Sequence, residues 1–329
     1  PGAADMGHGR ADAAGGEAVD ETANPDRVDC LIVGGGPAGL TAAIYLGRFR
    51  RRVVLVDADE GRLAMIPRSH NMPGYPEGVR GCDLLAQMRA QAGRYACDLR
   101  RGEVTAVARD GDGFRARTTA GPVRARTVLL ATGVLNLRPP IDPDVHDRAV
   151  ASGQLRYCPI CDGFEQTGRR IGVLGLTAHG LAEAMFLRTY SDDVVLLALT
   201  APDLSPDLSA QAAKAGIAIE PVPVSAFDFD GGDVGMTLDD GRSLRVETLY
   251  AALGSRTRNE LGRKLGLDLS GDACFVTDEH QRCSVAGVYA AGDAVEGLDQ
   301  ISFAMGTGSR AAVAIHNDLR KADGQVLDD

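Results

Sequence analysis

No apolar run in this chain approaches the roughly 20 residues that a membrane-spanning helix needs, so no bilayer partner is expected. Basic charge is in deficit. The 35 Lys and Arg against 45 Asp and Glu leave a formal net charge of −10, and a chain of that sign binds phosphate backbones poorly, which argues against a nucleic-acid partner. Cysteine is sparse and odd in number, seven residues at irregular spacing. That does not read as the disulfide framework of a small secreted domain, and a cytoplasmic protein with one special pair is expected instead. Zinc lacks ligands: beyond a single C-x-x-C there is no second one and no H-x-x-x-H, so no metal is expected. Residues 1–27 have no apolar h-region of a signal peptide. Rich in Ala, Gly, Asp and Glu, they read as a solvated, flexible tail.

What is present suits a soluble globular chain. Of its 329 residues, 44% are apolar and 24% charged, and the length allows two domains with real cores. Asp29–Val33 reads as a strand. It runs into Gly34-Gly35-Gly36-Pro37-Ala38-Gly39, a helical stretch Leu40–Phe49 and a second strand Val53–Val56 that ends at Asp57. Strand, glycine turn, helix and strand open a doubly wound α/β fold. Gly34 permits the tight turn, Gly36 lets the backbone approach a pyrophosphate, and Gly39 allows close helix–strand packing. The helix N-terminus then presents free N–H groups to the phosphates. Asp57, 18 residues beyond Gly39, stands where a carboxylate binds ribose hydroxyls.

The pattern recurs. Arg170–Leu174 leads into Gly175-Leu176-Thr177-Ala178-His179-Gly180, a helical stretch Leu181–Tyr190 and a strand Val194–Leu199. Gly34 falls on Gly175 and Gly39 on Gly180. The fold expected is therefore α/β with two Rossmann-like domains, the second inserted into the first. The first would span 28–150 and 260–329, and the insert 151–259. Thr127–Leu130 before Ala131-Thr132-Gly133, and Tyr250–Leu253 before Gly254, look like the crossings.

Cys158-Pro159-Ile160-Cys161 is a second constellation. Two thiols three residues apart at a helix start can close a small disulfide ring, and a helix dipole lowers a thiol pKa so that the attacking thiolate forms. Asp162 follows directly and could shuttle a proton. Other residues read as bland: Arg50-Arg51-Arg52 as a solvated edge, His179 as a loop histidine that could reach the dithiol, His316 as an ordinary surface or packed histidine, and Cys30 as core. Cys82, Cys97, Cys274 and Cys283 have no evident partners.

Taken together, the chain from about Arg27 to Leu319 resembles the low-molecular-weight thioredoxin reductase family of flavoprotein disulfide oxidoreductases. The resemblance rests on Gly34–Gly39, Gly61-Arg62-Leu63, Asn71-Met72-Pro73-Gly74, Ala131-Thr132-Gly133, Cys158-Pro159-Ile160-Cys161-Asp162-Gly163 and Ala290-Ala291-Gly292-Asp293. It implies an FAD cofactor held by Gly34, Gly36, Pro37, Ala38, Gly39, Asp57, Leu63, Asn71, Val104, Ala131, Thr132, Gly133, Gly292 and Asp293. Gln300 and Ile301 would sit at the isoalloxazine ring, with Asp293 at the ribityl–phosphate part. By the same resemblance Cys161 faces the flavin, Cys158 attacks the substrate disulfide, Asp162 is the acid/base, and the chain forms a homodimer.

The sequence departs from that family at its second glycine turn, which there binds NADPH. The middle glycine is Thr177, and a β-branched residue should hold the backbone away from a pyrophosphate. The family's basic cluster after the next strand is replaced by Ala198-Leu199-Thr200-Ala201-Pro202-Asp203, with no Arg for a 2′-phosphate. NADP(H) is therefore not expected as the direct reductant. The expected partner is a thioredoxin-like protein or a small-molecule disulfide or dithiol. Electrons would come from an electron-donor protein or reduced flavin, or would pass onward to oxygen. An ordinary NADPH-driven enzyme and a non-catalytic flavin redox sensor stay open as alternatives.

Overall fold

The computed structural model describes residues 27–200 and 205–325. The expected tail, apart from Arg27, lies outside the described residues, as do Ala201, Pro202 and Asp203 and residues 326–329.

The first unit begins with β1 (Val28–Val33), α1 (Pro37–Arg48) and β2 (Val53–Asp57), then α2 (Gly81–Gly93) and β3 (Asp98–Arg101). A hairpin of β4 (Val104–Asp110) and β5 (Gly113–Thr118) leads to β6 (Val123–Leu130). β1 is apolar at every position from Cys30 to Val33, and all four are buried, as a central parallel strand covered on both faces requires. The sheet runs β3-β2-β1-β6, and the N-terminal half of β6 continues antiparallel to β5 and β4. α1 covers one face, and its Leu40, Ala43 and Leu46 are buried. Burying the two leucines alone contributes several kcal/mol, at ~1.5–3 kcal/mol for each large apolar residue.

The chain then leaves through β7 (Val134–Asn136) and enters the second unit by α3 (Pro143–Ser152), β8 (Leu155–Arg156) and the single turn α4 (Pro159–Asp162). The duplicated pattern follows as β9 (Ile171–Leu174), α5 (Ala178–Leu187) and β10 (Val194–Leu197), then α6 (Pro206–Lys214) and β11 (Ala218–Glu220). An antiparallel meander of β12 (Val224–Asp228), β13 (Val234–Leu238) and β14 (Ser243–Val246) precedes β15 (Thr248–Ala251). The second sheet is wholly parallel, in order β11-β10-β9-β15-β8.

β16 (Ser255–Thr257) returns antiparallel to β7, so the outgoing and incoming chains form one two-stranded ribbon. Ala149 and Val150 of α3 belong to the core that also holds Leu155, Leu174 and Leu249. The crossing is therefore the β7–β16 ribbon, upstream of Ala151 on the outgoing side. The chain resumes the first unit through α7 (Glu260–Leu265), β17 (Val288–Ala290) and α8 (Ile301–Ala322). β17 pairs in parallel with the C-terminal half of β6, and α8 packs on α1, which places its N-terminus at the mouth of the first glycine turn.

The last helix also overturns one expectation. Arg51 is not a solvated edge, since only 11% of its side chain is exposed. It donates to Asp323 (3.0 Å) and to His316 Nδ1 (3.1 Å), because the end of α8 lies over the α1–β2 turn. His316 itself stacks on Phe49 with ring centroids 4.5 Å apart, the packed one of the two readings its sequence position allowed.

Candidate active site

At the first turn Gly34 has φ +104°, and a Cβ there would run into the Ala131 carbonyl. Gly39 likewise has the Gly34 carbonyl where its Cβ would be, so it serves packing and does not line the adjoining cavity. Gly36 differs: a Cβ there would meet nothing within 4 Å. It is the N-cap of α1, with no side chain capping the helix. The first-turn N–H groups thus face an open, glycine-lined cradle of the kind a pyrophosphate fills. That is the fit the FAD expectation requires.

A cavity extends from this cradle. Gly34, Pro37 and Ala38 line one end with Asp57, Leu63, Ala131, Thr132 and Gly133; Asn71, Gly292, Asp293, Gln300 and Ile301 continue it to Cys158, Cys161 and Asp162. Val104 is not part of it. It starts β4 and is buried in the core beneath the hairpin. Asp57 Oδ2 accepts from Arg89 at 2.7 Å. Burial pushes the Asp293 carboxyl up to about 6, Asp299 reinforces the shift, and Arg62 opposes it with a contact at 3.1 Å. Thr132 Oγ1 donates to the Arg258 carbonyl (2.7 Å) and Arg258 N donates to the Gly133 carbonyl (3.0 Å), which ties the two crossings together at the cavity wall.

Cys158 and Cys161 form a disulfide. Three distant segments meet at it. Asn71 Nδ2 donates to Gln300 Oε1 (2.9 Å), and Gln300 Nε2 lies 3.4 Å from both sulfurs. The helix that follows Cys158 is one turn long, so it carries little macrodipole, and the expected help from a helix dipole is small. Both cysteines line the glycine-turn cavity, and Cys158 also lines a second cavity that shares part of its wall.

Asp162 is not a free carboxylate. Its Oδ2 accepts from Arg156 Nη1 (2.5 Å) and its Oδ1 from Tyr250 OH (2.7 Å). Burial pushes its pKa up, while Arg156 and Tyr250 pull it back. Neither partner was legible beforehand: Arg156 stands in a two-residue strand and Tyr250 reads as one more apolar position of a buried strand.

The duplicate turn keeps its shape and loses its cradle. Gly175 has φ +130°, and a Cβ there would lie 2.5 Å from the Ala252 carbonyl, matching Gly34 against Ala131. The N-cap of α5, however, is Thr177, whose Oγ1 accepts from Gly180 N at 3.2 Å. The helix end that would face a phosphate is capped by the protein's own side chain.

The sequence profile of the pyridine nucleotide-disulphide oxidoreductases matches residues 28–308. The chain belongs to that family. Within it, this thioredoxin reductase-like flavoprotein is 30% identical to the thioredoxin reductase of Streptomyces clavuligerus over 86% of this chain and 91% of that protein. It is 30% identical to the thioredoxin reductase of Mycolicibacterium smegmatis over 90% and 97%. Among solved structures it resembles HlmI, with 30% identity, a TM-score of 0.84, and coverage of 91% of this chain and 94% of that one. The flavoprotein is thus a disulfide oxidoreductase with the two-domain fold that the duplicated glycine turns led us to expect, and the family implies FAD. No helix among its described residues is long and apolar enough to cross a membrane.

Proposed function

We propose that this enzyme moves electron pairs between bound FAD and its Cys158–Cys161 pair, and exchanges them with a thioredoxin-like protein or a small-molecule disulfide or dithiol, without NADPH as the direct reductant. The observation that carries this is the position of the disulfide. Cys161 faces the cavity of the first glycine turn, and Cys158 faces a second cavity as well. This supports a reading in which Cys161 communicates with the cofactor and Cys158 with an incoming thiol or disulfide.

The residues assigned to the FAD are Gly34, Gly36, Pro37, Ala38, Asp57, Leu63, Asn71, Ala131, Thr132, Gly133, Gly292, Asp293, Gln300 and Ile301, with Gly39 shaping the turn. Bound there, FAD supplies a two-electron store. The chain's own part is thiol chemistry. In the reducing direction a Cys158 thiolate attacks a substrate sulfur, the substrate S–S bond breaks, and one substrate thiolate leaves. Cys161 thiolate then attacks Cys158 Sγ, the enzyme disulfide closes, and the second substrate thiolate leaves. Two protons are delivered to the substrate. Asp162 Oδ1, hydrogen-bonded to Tyr250, is the acid/base that exchanges protons beside the pair. Gln300 Nε2, donating towards both sulfurs, stabilises whichever one carries negative charge.

The doubt about NADPH rests on the second turn. Thr177 occupies the helix end, and the described residues that follow β10, Ala198 to Thr200, hold no cation for a 2′-phosphate. We further propose a cytoplasmic homodimer. The deciding experiment mixes pure holoenzyme anaerobically with NADPH, NADH or dithiothreitol and follows the flavin absorbance. Bleaching by the dithiol with little or none by sub-millimolar nucleotide is expected. Fast, saturable bleaching by micromolar NADPH would restore an ordinary NADPH-driven reductase.

A further inference from the structure

The second cavity beside Cys158 has a volume of about 420 Å³, within the ~300–1,000 Å³ range of small-ligand pockets. Its walls come from six stretches of the chain, among them Arg62 and Asn136. Tyr157 to Ile160 carry the outer sulfur. One face of α5 contributes His179, Glu183 and Phe186. Gly254 and Ser255 come from the return crossing, and Asp299 and Gln300 precede α8. Ile160 and Phe186 are half-exposed apolar side chains, so the cavity wall is in part greasy.

Glu183 is unusual within it. Its side chain is 18% exposed, and Oε1 lies 3.1 Å from His179 Nε2. Oε2 is buried with no hydrogen-bond partner. An unpartnered carboxylate oxygen is costly to leave charged in a protein interior, so this carboxyl holds a proton more readily than a solvated glutamate.

We propose that this cavity is the substrate subsite for a small-molecule dithiol, and that Glu183, oriented by His179, takes the proton from the thiol that attacks Cys158. The inference rests on the function proposed above. The first substrate thiol gives its proton to the Glu183 carboxylate, and its sulfur bonds to Cys158 Sγ. The Cys158–Cys161 bond breaks, and Cys161 leaves as a thiolate. The second substrate thiol, deprotonated in turn, attacks the substrate sulfur of the mixed disulfide and releases Cys158 thiolate. The substrate leaves as a disulfide, two electrons reside on the enzyme pair, and two protons have been given up to the protein and solvent.

Burial pushes the Glu183 pKa up to about 7, which matches a base that works near neutrality. The other charged or titratable groups facing the cavity are His179, Arg62, Tyr157, Cys158 and Asp299. The strands beneath α5 carry none, reading Ile171-Gly-Val-Leu174 and Val194-Val-Leu-Leu197. Asp207 and Lys214 of α6 and Asp162 of α4 do not line it.

The test follows how fast Cys158 and Cys161 of the anaerobic holoenzyme become alkylatable, read as a peptide mass shift, in wild type and in Glu183→Gln. The probes are dithiothreitol and reduced thioredoxin. An ordinary thiol of pKa ~8.5 is only about 3% thiolate at pH 7, so a base can supply up to roughly thirtyfold. We expect Glu183→Gln to slow dithiothreitol about tenfold or more at pH 7 and hardly at all at pH 9. Reduced thioredoxin, whose attacking thiol has a pKa of about 7, should be unaffected. Ala182→Phe, a substitution at an exposed position on the cavity wall, should slow dithiothreitol as well. Equal dithiothreitol rates in wild type and Glu183→Gln at pH 7, or equal slowing with both probes, overturn this inference alone. A wild-type disulfide that neither probe opens overturns the parent function with it.

Discussion

Arg156→Met should destabilise the protein in a way that depends on pH, because Arg156 is the cation that keeps Asp162 tolerable in its buried place. The pair is close, at 2.5 Å, and the two side chains retain 19% and 21% of their exposure. Breaking a buried pair from one side costs ~3–5 kcal/mol. The residual exposure puts this one at the lower end, about 3 kcal/mol, which is roughly 6–12 °C in a thermal midpoint at ~2–4 °C per kcal/mol. Burial already raises the Asp162 pKa, and Arg156 is the largest influence opposing that rise. Without it the folded-state pKa moves further above the unfolded value. Stability tied to the neutral carboxyl is then fully present below the unfolded pKa and is lost as pH rises through the folded one. The variant should therefore differ little from wild type at pH 4–5 and show its full deficit at pH 8. Thermal unfolding followed by circular dichroism across that range measures this. A double variant with Asp162→Asn should recover about 2 kcal/mol of the deficit, a coupling typical of residues in contact. An equal deficit at pH 5 and pH 8, or strictly additive effects in the double variant, would refute the reasoning.

Three other perturbations address the remaining assignments. Gly36→Val places a branched side chain in the open cradle at the α1 N-terminus, so the purified protein should lack visible flavin absorbance; a normal flavin content would remove the cradle from the FAD assignment. Cys158→Ser leaves Cys161 as a lone thiolate on the cofactor side, and the holoenzyme should show a long-wavelength absorption band, which would appear in Cys161→Ser instead if the two roles were reversed. Light scattering at micromolar concentration should return a dimer mass, and a monomer mass would contradict the proposed homodimer.

The sequence alone determined the elements whose physics is local. A glycine turn between two apolar strands has few other readings, because φ above zero at Gly34 and the missing Cβ at Gly36 are properties of the residues themselves. The duplicate turn, the C-x-x-C pair and the loss at Thr177 were legible for the same reason. What only the tertiary structure decided are contacts between positions far apart in the chain. Gln300 meets Asn71 and both sulfurs across 229, 142 and 139 residues, and no periodicity encodes such a meeting. Tyr250 looked like one more apolar strand residue until its hydroxyl was found against Asp162. Arg51 looked solvated until α8 came to lie over it. Val104 came through family position and proved to be core. The place of α3 within the second unit depends on which core takes Ala149 and Val150, since an amphipathic helix specifies that it must bury a face but not against what. Glu183 shows the same limit from the side of chemistry. A glutamate on a helix is ordinarily a solvated charge, and only the burial of Oε2 and the place of Glu183 on the wall of the Cys158 cavity single it out as the proposed base.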